Sequence, residues 1–158
     1  MKPSEIIQSI KEALNLNRAQ IMHIYNLEEF AISKDRLDSI LKNSSKKGSI
    51  NATYEELGVF LDGLIQYKRG TSKKDRDSEI ILDNNLILKK LRAALNLKED
   101  EIAIIFELAD YSISKSTTKD MFRSPNHPKI RECDNKTLKA FLDGLNEFYF
   151  DSGEYLST

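Results

Sequence analysis

The sequence predicts an all-α protein built from two tandem, pseudo-symmetric repeats of about four short helices each, joined by a charged linker. Three observations carry this prediction. The chain repeats itself at a single offset, its apolar residues are spaced with helical periodicity, and no stretch alternates convincingly with period two. Displaced by 81 positions, Ala13-Leu14-Asn15-Leu16 falls on Ala94-Leu95-Asn96-Leu97. Ile32-Ser33-Lys34 falls on Ile113-Ser114-Lys115, and Phe60-Leu61-Asp62-Gly63-Leu64 falls on Phe141-Leu142-Asp143-Gly144-Leu145. One offset serves all three blocks without a gap. The chain is therefore read as a duplication, with repeat 1 at 4–67, a linker at 68–83 and repeat 2 at 84–147.

In repeat 1, Ile6, Ile10, Ala13 and Leu14 have the spacing of a first helix, and Ser4 is placed to cap it. Ile21, Ile24, Tyr25 and Leu27 mark a second helix. Ser33 precedes a third on Leu37, Ile40 and Leu41. Thr53 precedes a fourth, with Leu57, Phe60, Leu61 and Leu64 at i, i+3, i+4 and i+7. Repeat 2 follows the same scheme, and its second helix opens on Glu99, Asp100 and Glu101, which suit the positive end of a helix dipole. From Tyr67 to Ser78 the chain is charged, small and polar, as a solvent-exposed linker is. Ile80, Ile81 and Leu82 are apolar enough to dock on a neighbour. A unit of this size buries only ~60% of its extended-chain surface, so the two copies are expected to pack together about a pseudo-twofold axis.

Composition narrows the classes of function. The apolar share of 40% and charged share of 31% are those of a globular chain, not a disordered one. The longest apolar runs, such as Ile102 to Phe106, are far shorter than the roughly 20 residues of a membrane span. The start, MKPSEIIQSIKEAL, mixes charges into its apolar residues and lacks a signal-peptide core, so a cytoplasmic setting without membrane association is expected. A single cysteine, Cys133, leaves no internal disulfide and no CxxC pair for zinc, and neither metal nor cofactor is expected. The net charge of −1 provides no global basic field for nucleic acid. Residues 4–64 hold seven Lys/Arg against nine Asp/Glu, and residues 85–145 hold eleven against nine. Repeat 2 is thus the better place to meet phosphate.

Repeat 2 contains NNLILKKLRAALNLKEDEI and then FRSPNHPKIRECDNKTLKAFLDGL. These segments resemble the YehS-type family of uncharacterised bacterial proteins, which carry a duplicated domain of unknown function. The resemblance covers nearly the whole chain, from about Ser4 to Gly144. It implies duplicated helical architecture and a bacterial cytoplasmic setting, and brings with it no activity, cofactor or partner. The family-like residues are Arg123, Pro125, His127, Arg131, Glu132, Cys133 and Asp134. Repeat 1 departs from them with Asn43-Ser44-Ser45-Lys46-Lys47-Gly48 across the matching loop.

The duplication acts as an internal control, since residues kept in both copies serve the common fold and those that differ serve something local. By that test the Phe-Leu-Asp-Gly-Leu block is structural. Glycine in mid-helix costs about 1 kcal/mol against alanine, so keeping Gly63 and Gly144 points to a tight helix crossing. Asp62 and Asp143 read as surface or capping partners. The clearest departure is the loop of repeat 2. Pro125 and Pro128 stiffen it, Arg123, His127, Lys129 and Arg131 supply donors, and Glu132, Cys133 and Asp134 supply acceptors and a thiol. Arg123, His127, Arg131, Glu132, Cys133 and Asp134 form the candidate binding loop. The plainer alternative is a rigid connector in which Arg131 and Glu132 pair with neighbours and Asp134 caps the fourth helix. His127 and Cys133 supply two metal ligands where zinc wants four, and a Cys–His nucleophilic pair here has no third group to orient it. His23, among apolar residues, reads as a partly buried packing histidine.

A second reading is a helix-turn-helix. LADYSISKSTTKDMFR has the pattern of a turn followed by a recognition helix, with Ile113 before a Ser114 cap and Lys115, Thr117, Lys119 and Arg123 as candidate nucleic-acid contacts. Against it, the turn lacks its usual glycine and repeat 1 puts Asp35 and Asp38 on the matching helix. Many trihelical units share this geometry without touching DNA. The expectation is a non-enzymatic helical binding protein whose macromolecular partner is a protein rather than a nucleic acid, with homo-oligomerisation possible. A continuous basic strip through Lys115, Lys119 and Arg123 would favour the nucleic-acid alternative.

Overall fold

Short polar side chains set where the helices begin. The Ser33 hydroxyl accepts the Arg36 N–H, Thr53 accepts that of Glu56 and Ser114 accepts that of Thr117, so these three serve as the caps expected of them. A computed structural model describes residues 1–43, 46–70 and 82–152, the side chains of 151 and 152 excepted. Its helices are α1 (Pro3–Ala13), α2 (Arg18–Leu27), α3 (Lys34–Leu41), α4 (Tyr54–Arg69), α5 (Asn84–Leu95), α6 (Glu99–Leu108), α7 (Lys115–Met121) and α8 (Asn135–Ser152). No strand occurs among the described residues.

The two sets of four match at the offset of 81, and so do the turns between them. Asn15 and Asn96 take left-handed backbone at φ 53° and 52°, ending α1 and α5, and Glu29 and Asp110 do the same at 56° and 52°. The interface between repeats obeys the same symmetry. The seam between α4 and α5 maps onto the seam between α8 and α1 when the repeats are exchanged, which defines the pseudo-twofold. Both seams belong to one apolar core that runs through both repeats, from Ile7, Leu37 and Phe60 to Leu88, Phe106 and Phe141.

Several expectations require correction. Ser4 does not cap α1, which starts with Pro3 in its first turn after Lys2. Instead its hydroxyl accepts the Ala52 N–H at 2.6 Å and donates to Ile50 O at 3.3 Å, pinning the loop before α4. The linker begins later than expected because α4 continues to Arg69 and ends at Gly70 with φ 68°. Residues 71–81, including Ile80 and Ile81, lie outside the described residues; Leu82 packs half-buried on the core. His23 is exposed, with its ring edge-on to Tyr67 at 5.9 Å, because its position on α2 faces away from Ile21 and Ile24. Asp62 is buried and paired with Lys90 across the α4–α5 seam, whereas its twin Asp143 lies exposed against Lys139 at 2.9 Å. The glycines mark a tight crossing as expected. A Cβ on Gly63 would lie 2.4 Å from Ile24 O, and one on Gly144 would lie 1.9 Å from Ile105 O.

Candidate functional site

The loop from Phe122 to Asp134 is held by α5. Asn85 Nδ2 donates to Met121 O at 3.0 Å and to Arg131 O at 2.7 Å, while its Oδ1 accepts the Cys133 N–H at 2.9 Å. Asn84 Nδ2 donates to Cys133 O at 3.0 Å. Asn85 occupies the place of Ser4, so each repeat pins this connector by a side chain from its own first helix.

The six loop candidates do not converge. The Arg123 guanidinium donates to Asp120 at 2.7 Å and meets His127 Nε2 at 3.2 Å, while His127 Nδ1 accepts the Lys129 N–H. Arg123 also holds the Asp120 carboxyl below its usual range. Asp134 accepts the Thr137 N–H at 2.8 Å as the cap of α8, and the Thr137 hydroxyl and N–H hold its carboxyl low. Cys133 is buried, and burial followed by the charges of Asp134, Asp83 and Glu132 pushes its thiol up to about 12. It occupies the place of Ala52, equally buried, and acts as a small core residue. Arg131 and Glu132 point their side chains to solvent without the ion pairs expected of a connector among the described residues. No group of three or more His, Cys, Asp or Glu is placed to hold a metal among the described residues.

The helix-turn-helix candidates also separate. Lys115 and Lys119 are exposed one turn apart on α7, which has seven residues. The Thr117 hydroxyl is turned back onto Ser114 Oγ at 2.8 Å. Arg123 is half-buried and its charge is matched by Asp120, which leaves Lys115 and Lys119 as the exposed cations of this set. The preceding helix, α6, is acidic on its exposed side.

That side of α6 is a feature the sequence reading missed. Ile102, Ile105 and Phe106 face the core, and this phase turns Ile104 and Leu108 outward, exposed by 43% and 36%. Asp100 lies one turn before Ile104 on the same stripe, and Glu107 and Asp110 stand beside Leu108, all exposed. Along the neighbouring stripe, α6 borders a cleft of about 390 Å³ reaching α7, lined by Glu99, Ala103, Phe106, Tyr111, Ile113 and Lys115 among others. The matching positions of repeat 1 are Ala19, His23, Asn26, Leu27 and Glu29, so the leucine and one acid recur there, while Asp100, Ile104 and Glu107 have no counterpart. The run Ile102 to Phe106 reads as wholly core until its helical phase is worked out.

Comparison with known proteins returns the same duplication. The chain is 31% identical over 147 residues to the uncharacterized protein YehS of Escherichia coli (strain K12), covering 92% of this chain and 94% of that protein. No solved structure matches it. The model of the family described as a protein of unknown function, DUF1456, matches twice, over residues 5–70 and again over 84–149. Two helical units repeated at one offset, packed about a pseudo-twofold and each matched by that model, place this chain in the DUF1456 family.

Proposed function

We propose that this protein is a non-enzymatic cytoplasmic binding module whose partner is another protein, docked along α6 of repeat 2. The observation that carries the proposal is the exposed pair Ile104 and Leu108 set among Asp100, Glu107 and Asp110. An apolar centre with a charged margin is the arrangement of a protein interface, where apolar burial gives affinity and the charged rim gives selection. The acidic margin commits the partner to a basic segment with apolar side chains between its lysines or arginines. The adjoining cleft, floored by Phe106 and Tyr111, has room for one apolar anchor. Asp100, Ile104 and Glu107 are replaced by Ala19, His23 and Asn26 in repeat 1, which supports a role for these three that the shared fold does not require.

The alternative is recognition of duplex nucleic acid through α7. A helix-turn-helix lays its first helix across the phosphate backbone, and here that helix presents Asp100 and Glu107, with Asp110 in the turn after it. Like charges at that place oppose docking, and with Arg123 matched by Asp120 the alternative is left with Lys115 and Lys119. A Cys–His nucleophilic pair is not supported, because the Cys133 thiol is buried and pushed up to about 12 and His127 is bonded through both ring nitrogens.

The test is selection of displayed peptides against the full chain. Basic peptides with apolar anchors should be enriched, and should lose binding to Ile104→Asp/Leu108→Asp and as salt rises. Enrichment indifferent to that double variant overturns the proposal. Duplex DNA or RNA bound at low salt, and released by Lys115→Ala/Lys119→Ala, would establish the alternative instead.

A further inference from the structure

A second surface lies on the other side of repeat 2, where α4, α5 and the residue after α7 meet. An open pocket of about 310 Å³ there is lined by Arg69, Lys89, Arg92, Asn96 and Phe122, with Ala93 and Leu97 at its edge. Among the described residues three cations face it and no carboxylate lines it, in a chain whose net charge is −1.

Two of the cations are fixed in place. Arg69 Nη1 donates to Ala93 O at 2.9 Å and to Asn96 Oδ1 at 3.2 Å. Arg92 Nε donates to Leu97 O at 3.1 Å, and its guanidinium lies 4.9 Å from the centre of the Phe122 ring. Each thereby answers a carbonyl at or just after the end of α5, as cations at helix C-termini do. That role uses one nitrogen of each guanidinium and leaves the others without an acceptor among the described residues. It does not account for Lys89. Lys89 sits in the middle of α5, is half-buried, and has no acceptor for its ammonium among the described residues.

The duplication supplies the control. Under the pseudo-twofold, Arg69, Lys89 and Arg92 correspond to Phe150, Gln8 and Lys11, and Ala93 corresponds to Glu12. The Gln8 amide is occupied, donating to Ile40 O at 2.8 Å and to Lys42 O at 3.0 Å. The same helix packing therefore stands in repeat 1 with one cation, one acid and no cluster, so the fold does not demand three positive charges at this corner.

We propose that Arg69, Lys89 and Arg92 form a binding site for the phosphoryl group of a small phosphate-bearing anion. Guanidinium groups already oriented by protein acceptors present planar N–H pairs that match phosphate oxygens, and an ammonium adds a point charge. Three cations suit a phosphate dianion better than a carboxylate. The volume is at the small end of ligand sites, sufficient for a phosphate ester and short for a polymer track. This site is separate from the α6 surface and does not depend on it.

The experiment is an NMR titration of the full chain at low ionic strength with inorganic pyrophosphate, with AMP and with acetate. Saturable shifts at the amides of Ala93, Asn96, Leu97 and Phe122 are expected with the two phosphate probes and not with acetate. Stronger binding of AMP than of pyrophosphate would mark an ester as the natural ligand, and the reverse order a free inorganic anion. Lys89→Gln should weaken binding about tenfold, the loss of one charge-assisted contact, without moving Tm, since its ammonium holds no other group. Lys11→Gln, at the twin position, should leave binding unchanged. The proposal is overturned by shifts that do not saturate at millimolar pyrophosphate, or by an equal loss in Lys11→Gln. It is also overturned if a single-stranded oligonucleotide binds more tightly and depends on Lys115 and Lys119.

Discussion

Replacing Gly144 by alanine sets two known effects against each other. Helix propensity alone favours the variant by about 1 kcal/mol. Against it, the new methyl would sit 1.9 Å from Ile105 O, 2.8 Å from Ile105 C and 3.0 Å from Ile105 Cγ2. A backbone oxygen on a neighbouring helix cannot rotate away as a side-chain tip can, so α6 and α8 must move apart. Overpacking of this kind costs about 1–3 kcal/mol and occasionally more, and a backbone clash this close belongs at the upper end. A net loss of about 2 kcal/mol is expected for Gly144→Ala. Gly63→Ala, whose methyl would meet Ile24 O at 2.4 Å, should lose about 1 kcal/mol by the same balance. For a chain of this size the larger loss lowers Tm by about 4–8 °C. The assay is urea unfolding of each variant beside the parent, read from the midpoint at unchanged slope. If both variants equal or exceed the parent, propensity has won, the glycines do not mark a closed crossing, and their retention in both repeats needs a functional cause.

Other perturbations follow from the same contacts. Arg36 holds the Glu56 carboxyl below its usual value through its side-chain hydrogen bonds, against a smaller opposing effect of burial. A carboxyl depressed in the folded state stabilises above its unfolded pKa of about 4.3 and ceases to do so as pH falls through the folded value. Acid titration of stability should therefore show a loss beginning near that pH, and Arg36→Gln should flatten it; an unchanged acid limb would refute the pairing. Asp62→Asn leaves the buried Lys90 without its carboxylate and should cost about 3–5 kcal/mol, while Asp62→Leu/Lys90→Met should fall close to the parent. Equal losses in the two would contradict that account. Cys133 should resist alkylation at pH 8 in the folded chain, because its thiol is buried and pushed up to about 12. Cys133→Ala, copying Ala52, should shift stability by less than about 1 kcal/mol on removing one small buried group, and rapid labelling of the native chain would reverse the reading.

Much of the fold was legible because it is encoded twice. Apolar spacing repeated at one offset carried the helix number, and Gly63 with Gly144 carried the crossing, whereas the left-handed turns at Asn15 and Asn96 were not read from it. The caps at Ser33, Thr53 and Ser114 were legible because a hydroxyl before an apolar helical stripe has one obvious acceptor role. Ser4 obeys the same local rule and escapes it, since Pro3 already starts the helix and its hydroxyl is taken by Ala52, 48 residues away. Asp62 and His23 were also misplaced. The burial of Asp62 depends on which helix of the other repeat lies opposite, which spacing along one helix does not carry. The exposure of His23 follows from a helical phase, away from Ile21 and Ile24, that its apolar neighbours in sequence conceal. The candidate site was the least legible. The loop of repeat 2 was conspicuous by composition, yet Arg123 and His127 bond to near neighbours, Asp134 caps α8, Cys133 is buried and Arg131 and Glu132 face solvent, so these groups do not converge. The exposed stripe on α6 and the pocket cations come from ordinary helix residues whose meaning depends on helical phase and on a partner helix.

The two seams show what duplication permits and one copy of the repeat could not supply. If both seams were chemically identical, repeat 1 of one chain could pair with repeat 1 of another as readily as with its own repeat 2. They are not identical. At the α4–α5 seam Asp62 meets Lys90, whereas the α1 position equivalent to Lys90 is Ser9. Pairing two copies of repeat 1 would therefore set Asp62 of each against a serine in place of Lys90. Removing one partner of a buried ion pair costs several kcal/mol, and the loss of Lys90 would fall once on each of the two equivalent seams. A buried ion pair adds little stability over a well-packed apolar pair, so its placement at one seam acts mainly on pairing choice. On that account Asp62→Leu/Lys90→Met, though close to the parent in stability, should form dimers more readily than the parent in size-exclusion chromatography, and an unchanged elution profile would remove the role in pairing choice.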